Sequence, residues 1–337
     1  MANRSSTIDQ ERVARLVGSP EQLVNVERLM REDGSARGTS ILAIRNPQGF
    51  SFDVLIDRAL DIGWAEARGL PLAWRAIQGP AASTRYEPEG NGWTRTFSGG
   101  LLTTCGLRAT GAPSTVDGTH FGLHGRIGHI PAQNVHWQFI DHHGEPCIEI
   151  TGQVIEGGLG ETPLILTRRI VANTVQPWLS VQDTVTNAGF ETTGHMFRHH
   201  FNLGYPLVGP ASSVTTNATL IGTRDPHPEP LPQFPWKVEV AQNPTAEFVG
   251  YCKPNGIETR TTVTDANGNR LEIEQKNEEW PWLILWRDAS PGVNVLGVEP
   301  STSKDAGRAQ AELDKEVINL APGQSREYRT DLSLSTF

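Results

Sequence analysis

Short segments that alternate apolar and polar side chains recur along most of the chain, and no long amphipathic helix separates them. In the segment 50–56, for example, Phe52, Val54 and Ile56 share one side of an extended backbone. A period of two residues is typical of strands that are buried on one face. The pattern predicts strands at 23–31, 39–45, 50–56, 135–140, 147–155, 164–171, 178–187, 193–202, 259–265, 270–275, 282–287, 293–298, 316–320 and 325–334. This succession predicts an all-β fold, a large antiparallel β-sandwich.

The two ends of the chain differ in pattern. Residues 8–17 have the spacing of a short amphipathic helix that Gly18 and Pro20 end, so we expect a helical extension over 1–20. Residues 21–337 contain no linker or internal repeat and are expected to form a single domain, because large β-sandwiches reach this length. Two segments rich in proline and glycine, 79–92 and 206–235, are predicted to be long loops.

Composition excludes several classes of protein. The net charge is −9 without a run of lysine or arginine, which argues against binding to nucleic acid. Cys105, Cys147 and Cys252 have no CxxC spacing, so neither a disulfide framework nor a structural zinc site is expected. No stretch approaches 18 apolar residues and the N-terminus lacks an apolar signal segment, which predicts a cytoplasmic protein that does not contact a membrane.

A histidine between glycines is the first candidate for a functional site, in Phe-Gly-Leu-His-Gly-Arg-Ile at 121–127. In an extended backbone, His124 and Arg126 would point to the same face. The flanking Gly122 and Gly125 lack a β-carbon, which would let a ligand approach the backbone. We therefore predict that His124 and Arg126 belong to a site.

The predicted strand 193–202 places polar residues on one face only. Arg198, His200 and Asn202 share that face, whereas His199 lies on the mostly apolar opposite face. Three polar side chains on one face of a buried strand need a ligand or one another as partners. The alternation therefore favours His200 over His199 as the functional histidine.

A glutamate near the C-terminus completes the set, in Val-Leu-Gly-Val-Glu-Pro at 295–300. Leu296 and Val298 would face the core, while Gly297 and Glu299 face the other way and Pro300 ends the strand. Histidine and glutamate from distant strands are typical of general acid–base chemistry on a neutral polar substrate. The sequence has no serine-hydrolase elbow, phosphate loop or dinucleotide-binding motif.

At these three segments the chain resembles the aldose 1-epimerase superfamily, the galactose mutarotase-like proteins. A Leu-His-Gly motif of that family supplies a pocket histidine, and His124 matches it. A later histidine before Phe-Asn-Leu is the family's acid, and here His200 or His199 occupies that place. The family's base is a glutamate before proline, which Glu299 matches.

The resemblance is closer to a less characterised bacterial branch, known only as aldose-1-epimerase-like, and covers about residues 25–334. It includes Asp-Arg-Ala-Leu-Asp-Ile-Gly at 57–63 and Gly-Gly-Leu-Leu-Thr-Thr-Cys-Gly-Leu at 99–107. It implies a mutarotase-like supersandwich that acts on a small-molecule sugar as an isomerase and needs no cofactor. A homodimer is compatible with the sequence.

The resemblance implies that the enzyme interconverts α and β anomers. Glu299 would remove the proton of the anomeric hydroxyl, and His200, held as imidazolium by the nearby carboxylate, would protonate the ring oxygen. The two groups are expected on opposite sides of one sugar-sized hollow. His124 and Arg126 would orient the sugar.

Other polar residues are predicted to bind substrate. Asp57, Arg58 and Arg126 would grip hydroxyls or an anionic group, and Arg198 and Asn202 would assist from the face that carries His200. The arginines fit an acidic sugar and ordinary structural ion pairs equally well.

The sequence is compatible with two alternative functions. A metal-dependent sugar isomerase or lyase would use the closely spaced His120, His124 and His129, with Glu299 or Asp117 as a further ligand. A carbohydrate-binding module with the same fold would bind sugar without catalysis.

Overall fold

Two large antiparallel sheets make up most of the computed structural model, which describes residues 15–227 and 230–336. The larger, twelve-stranded sheet contains β1 Asn25–Met30, β2 Ser40–Arg45, β3 Phe50–Leu55, β4 Asp61–Ala67, β5 Leu70–Pro71, β6 Leu102–Leu107, β13 Thr193–Leu203, β15 Thr219–Thr223, β17 Phe248–Lys253, β20 Trp282–Asp288, β21 Val295–Ser301 and β22 Ile318–Leu320. The nine-stranded sheet contains β9 Gln133–His142, β10 Glu145–Glu156, β11 Leu164–Asn173, β12 Trp178–Asn187, β14 Ser213–Thr216, β16 Trp236–Lys237, β18 Glu258–Thr264, β19 Arg270–Lys276 and β23 Ser325–Ser335. A separate hairpin joins β7 Ser114–Val116 and β8 Thr119–Phe121.

Helical structure is sparse in the described part of the chain. Residues 15–227 and 230–336 contain a single short α-helix, α1, over Arg308–Leu313. Five 3₁₀ turns lie at Pro20–Gln22, Gly34–Ala36, Ser83–Arg85, Gly92–Arg95 and Ile127–His129. Most of the predicted helix 8–17 falls outside the described residues. Among the residues described, none of the helices has the length and apolar character needed to cross a membrane.

The hydrophobic core lies between the two sheets. Strand alternation turns Ile44 and Phe52 of the large sheet inward, and Ile150 and Val181 of the nine-stranded sheet face them within one buried cluster. The opposite, outer face of the large sheet is free to carry polar residues. Two pockets lined by charged and aromatic side chains open on that outer face.

The predicted strands agree with the structure to within a few residues, but five strands of the large sheet were not predicted: β4, β5, β6, β15 and β17. Every residue of β6 is buried, so its sequence lacks the alternation that identifies a half-buried strand. The prediction of one loop over 206–235 was wrong in part, since β14 and β15 lie within it. Pro300 does not end its strand, because β21 continues to Ser301.

Candidate active site

A pocket of about 430 Å³ opens over the adjacent strands β13, β21, β20 and β17 of the large sheet. This volume lies in the range that holds small-molecule ligands. Its polar lining combines two histidines, two arginines and four carboxyl groups: His124, His200, Arg198, Arg224, Asp225, Glu247, Glu299 and Asp305. Trp93, Phe97 and Trp286 form much of its apolar wall.

Strand pairing brings the predicted histidine and glutamate together. Phe201 of β13 pairs with Val298 of β21, so the adjacent residues His200 and Glu299 lie opposite each other on the outer face. His200 Nε2 is 3.2 Å from Glu299 Oε1. The two groups are therefore direct neighbours, and the expectation that they lie on opposite sides of a hollow is wrong.

Arg198, two positions before His200 on the same face, holds the carboxylates in place. Its Nη1 donates to Glu299 Oε2 at 3.0 Å and to Asp305 Oδ1 at 2.6 Å, and its Nε donates to Ser301 Oγ at 3.2 Å. A β-carbon at Gly297 would lie 2.5 Å from Glu299 Oε1, so this glycine leaves the space that the carboxyl occupies. Arg198 thus serves as a fixed support for Glu299.

Burial changes the protonation of this pair. It raises the pKa of Glu299 to about 8, Asp305 adds to the rise, and the Arg198 guanidinium opposes it. Burial, with His124 and Arg198 nearby, lowers the pKa of His200 well below its usual range. The expectation of an imidazolium beside a carboxylate is therefore wrong for the free protein. One proton belongs to the pair at neutral pH, and it resides on Glu299.

His124 reaches the pocket from a turn. Its backbone has φ of +57°, and its Nδ1 accepts a hydrogen bond from the Gly111 N–H at 3.2 Å. Burial, with Arg198 and Arg224 nearby, lowers the pKa of His124 well below its usual range, so the ring is neutral. Because Nδ1 is an acceptor, the proton lies on Nε2, and His124 can donate one hydrogen bond from that atom.

The geometry of this turn separates His124 from Arg126. The segment is a turn followed by a 3₁₀ helix, so the two-residue alternation that we expected does not apply, and the exposed Arg126 does not line the pocket. Glycine serves close packing here: a β-carbon at Gly125 would lie 2.4 Å from the Gly106 carbonyl oxygen. The prediction that these glycines admit a ligand is wrong.

Asp57 and Arg58 also lie away from the pocket. Asp57 accepts a hydrogen bond from the Ser40 N–H. The buried Arg58 donates to the Ala81 carbonyl at 3.2 Å and contacts His129 Nε2 at 3.0 Å. Each side chain already has protein partners, so the prediction that they bind substrate is not supported by their position.

Asn202 holds the backbone next to the site through its side-chain amide. It is fully buried and does not line the pocket, and its Nδ2 donates to the carbonyl oxygens of His200, at 2.9 Å, and Gly100, at 3.1 Å. His199 points to the opposite side of β13, where Nε2 lies 2.7 Å from Asp183 Oδ2 in the core. Of the two neighbouring histidines, His200 alone lines the pocket.

The three histidines of the metal alternative have separate surroundings. His120 contacts Thr115 Oγ1 at 2.8 Å on the surface hairpin, and His129 is buried against Arg58. Burial and the Arg58 charge lower the pKa of His129 to about 2. Within the described ranges, no group of three histidine, cysteine, aspartate or glutamate side chains has an arrangement suited to a metal ion.

Several pocket residues were not identified from the sequence. Asp305 and Arg224 come from irregular segments, where no periodicity indicates the direction of a side chain. Trp286 is different: it lies in the predicted strand 282–287 with the opposite parity to Leu283 and Leu285. That parity was a usable signal for an aromatic side chain on the outer face.

Comparisons with known proteins support the fold. A profile of a family described as a domain of unknown function, DUF4432, matches residues 36–334. A candidate aldose 1-epimerase from Klebsiella pneumoniae subsp. pneumoniae MGH 78578 has a TM-score of 0.80 and 22% identity, over 92% of this chain and 83% of that chain. A galactose mutarotase-like protein from Clostridium acetobutylicum has a TM-score of 0.67 and 14% identity, over 94% and 100%.

The fold likeness extends to galactose 1-epimerase from Lactobacillus acidophilus NCFM, with a TM-score of 0.57 and 12% identity over 93% of this chain and 99% of that chain. No curated protein matches the sequence. These similarities confirm the predicted all-β, galactose mutarotase-like fold. They are too distant in sequence to carry an activity from those proteins to this chain.

Proposed function

We propose that this chain, which belongs to the family described as a domain of unknown function (DUF4432), is an aldose 1-epimerase that interconverts the α and β anomers of a neutral sugar. The observation that carries the proposal is the contact of 3.2 Å between His200 Nε2 and Glu299 Oε1 inside a pocket of sugar size. The shared fold with aldose 1-epimerases and galactose mutarotase-like proteins adds to it.

Close contact suits this reaction because the hydroxyl that loses a proton and the ring oxygen that gains one are bonded to the same carbon. An acid and a base must therefore lie near each other to serve both oxygens. Ring opening breaks the bond between the anomeric carbon and the ring oxygen. Rotation about the next carbon–carbon bond and closure on the other face then give the second anomer.

A full interconversion uses each group once as acid and once as base, since closure reverses the proton transfers of opening. The pair therefore needs one shared proton, and at rest Glu299 holds it. In the predicted order, Glu299 is the base and His200 the acid during opening. That order begins once the proton has crossed the 3.2 Å from Oε1 to Nε2.

His124 supplies a second contact to the sugar. With Nδ1 occupied by the Gly111 N–H, its Nε2–H is the free donor, and its ring lies 5.7 Å from that of His200. A neutral donor at this distance can stabilise the oxygen on which charge develops. Arg198 is committed to Glu299 and Asp305, so we assign it to positioning and not to direct proton transfer.

The charges of the pocket favour a neutral substrate. With Glu299 protonated, its other three carboxyl groups still outnumber its two arginines, and both arginines are already paired: Arg198 with Asp305, and Arg224 with Asp225 and Glu247 at 2.6 Å. A carboxylate or phosphate on the substrate would be repelled here. The stacked rings of Trp93 and Phe97, with centroids 4.5 Å apart, offer a flat apolar surface to a sugar face.

An anomer-exchange screen by NMR tests the proposal. Magnetisation transfer between the α and β anomeric protons is measured for neutral hexoses and pentoses, hexuronic acids and sugar phosphates. We expect acceleration for at least one neutral aldose, and none with the matched Glu299→Gln protein. Acceleration confined to acidic sugars would contradict the neutral-substrate proposal, and binding of sugars without exchange would identify a non-catalytic module.

A further inference from the structure

A second depression on the outer face of the large sheet, of about 420 Å³, carries an unusual set of charges. We call it the arginine groove, after Arg31, Arg45 and Arg75, which line it with Asp53 and Trp64. It shares no lining residue with the candidate active site. The two depressions are therefore separate, although Trp74 of the groove packs against Phe97 and Trp286 of the pocket.

One carboxylate serves two guanidinium groups in this groove. Asp53 is buried, with Oδ1 2.9 Å from Arg45 Nη2 and Oδ2 3.5 Å from Arg31 Nη2. Arg75 is exposed, and its side chain makes no ion pair or hydrogen bond with the described residues 15–227 and 230–336. Positive charge is therefore in excess here, in a chain whose net charge is −9.

The guanidinium groups of Arg31, which pairs with Asp53, and of Arg75, which has no ion pair with the described residues, lie close enough to repel each other. Burial lowers the pKa of Arg31, Asp53 opposes this change, and the charge of Arg75 adds to it. The Arg75 guanidinium also lies against Gly79, where a β-carbon would come within 3.1 Å of Nη2. An anion placed between the two guanidinium groups would relieve this repulsion and give Arg75 the partner that it lacks.

Indole rings form the walls beside these charges. Trp64 is 41% exposed, and the Arg45 guanidinium carbon lies 4.9 Å from its ring centroid. Trp74 lines the other side, with its indole N–H bound to the Val293 carbonyl at 2.7 Å. A flat ligand that carries an anionic group would contact an exposed indole and a free guanidinium at the same time.

We propose that the arginine groove binds an acidic sugar, with its carboxylate or phosphate between Arg75 and Arg31 and its ring over Trp64. From the sequence alone, Arg58, Arg126 and Arg198 are also candidates for binding an acidic sugar. Those residues are buried with partners, exposed elsewhere, or paired in the active site. Arg75 in the groove is exposed, and its guanidinium has no ion pair or hydrogen bond with the described residues.

NMR of the full chain labelled with ¹⁵N at its indole nitrogens tests this proposal, with the Trp64 signal assigned from Trp64→Phe. The probes are D-glucuronate, glucose 6-phosphate, glucose, acetate and inorganic phosphate. We expect the Trp64 signal to move with glucuronate, glucose 6-phosphate or both, and not with glucose, and the apparent Kd to rise with added salt. The two acidic sugars distinguish a carboxylate from a phosphate ligand.

Arg75→Gln is expected to weaken this binding about tenfold, the loss typical of one charge-assisted hydrogen bond. Arg28→Gln is the matched control, because Arg28 is exposed on the neighbouring strand β1 but faces the opposite side of the sheet, beside Leu42. Unchanged affinity in Arg75→Gln, or a shift of the Trp286 signal alone, would overturn the proposal. Equal affinity for acetate and glucuronate would show an adventitious ion only, with the same consequence.

Discussion

His199 and His200 are neighbours on one strand, and each lies beside an acidic side chain, yet they face opposite sides of the sheet and have different hydrogen-bond partners. His199 faces the core, where Nε2 meets Asp183 and Nδ1 meets Thr330 Oγ1 at 3.0 Å. His200 faces the pocket, where its Nδ1 and the Oε1 of Glu299 have no hydrogen-bond partner among the described residues. A histidine–carboxylate contact alone therefore does not identify a reactive pair.

The core pair belongs to a buried cluster of charged side chains. Arg168 is fully buried and donates two hydrogen bonds to Asp183, at 2.9 and 2.7 Å, and one to Asp61 at 3.1 Å. Burial would raise the pKa of Asp183, but Arg168 and His199 outweigh it and lower the pKa to about 2. Through Arg168, the cluster joins Asp61 of the large sheet to Asp183 of the nine-stranded sheet, so it links the two sheets and lies apart from the pocket.

Loss of the pocket pair is expected to have the largest effect. Glu299→Gln and His200→Asn should each reduce kcat/KM for anomer exchange by about 10²–10⁴-fold, because each removes one proton-transfer group. Thermal unfolding should change little. Glu27→Gln, at an exposed position of β1, is the matched control and should retain full activity. Full activity in Glu299→Gln would end the proposed assignment.

Disruption of the core pair should act on stability instead. Asp183→Asn is expected to lower the free energy of unfolding by about 3–5 kcal/mol, because it removes a charge partner from the buried Arg168. The fraction that remains folded should keep its kcat/KM. Urea unfolding, together with activity per folded molecule, checks both statements. A stable but inactive Asp183→Asn protein would show that the two histidines are not separate in function.

The smallest expected effect is the gradual change of kcat/KM with pH. The pKa of Glu299 is raised to about 8, so the shared proton is present through neutral pH and is lost as pH rises above that value. We expect kcat/KM to be level near pH 7 and to fall about tenfold per unit well above pH 8. Stopped-flow polarimetry from pH 6 to 10 measures this limb. A fall already below pH 7 would contradict the protonation that burial imposes.

Because side chains alternate in direction along a strand, much of the site could be predicted from the sequence. This alternation predicted that Arg198 and His200 share a face that His199 does not, and β13 places them so. The same reasoning turned Glu299 away from the core formed by Leu296 and Val298. These side chains obey a local rule, because a regular strand determines the direction of each side chain from its position.

The rule failed where the backbone is not extended. The left-handed conformation of His124 turns Arg126 away from it, and nothing in the segment 121–127 indicates that conformation. Asp61, in the segment 57–63 that contributes to the family resemblance, accepts hydrogen bonds from Thr104 and Arg168 inside the fold. Its partners are distant in sequence, so its structural role could not be separated from a ligand-binding role before the fold was known.

The spacing of the two histidines also limits how this part of the chain can change in length. A one-residue insertion in the turn 188–192 that slid β13 by one position would exchange the faces of His199 and His200. Arg198 would then take the core position of His199, beside Asp183 and the like-charged Arg168, and Phe197 would replace it beside Glu299 and Asp305. We therefore expect engineered or natural length variants to be tolerated in surface loops and rejected wherever they shift the register of this strand.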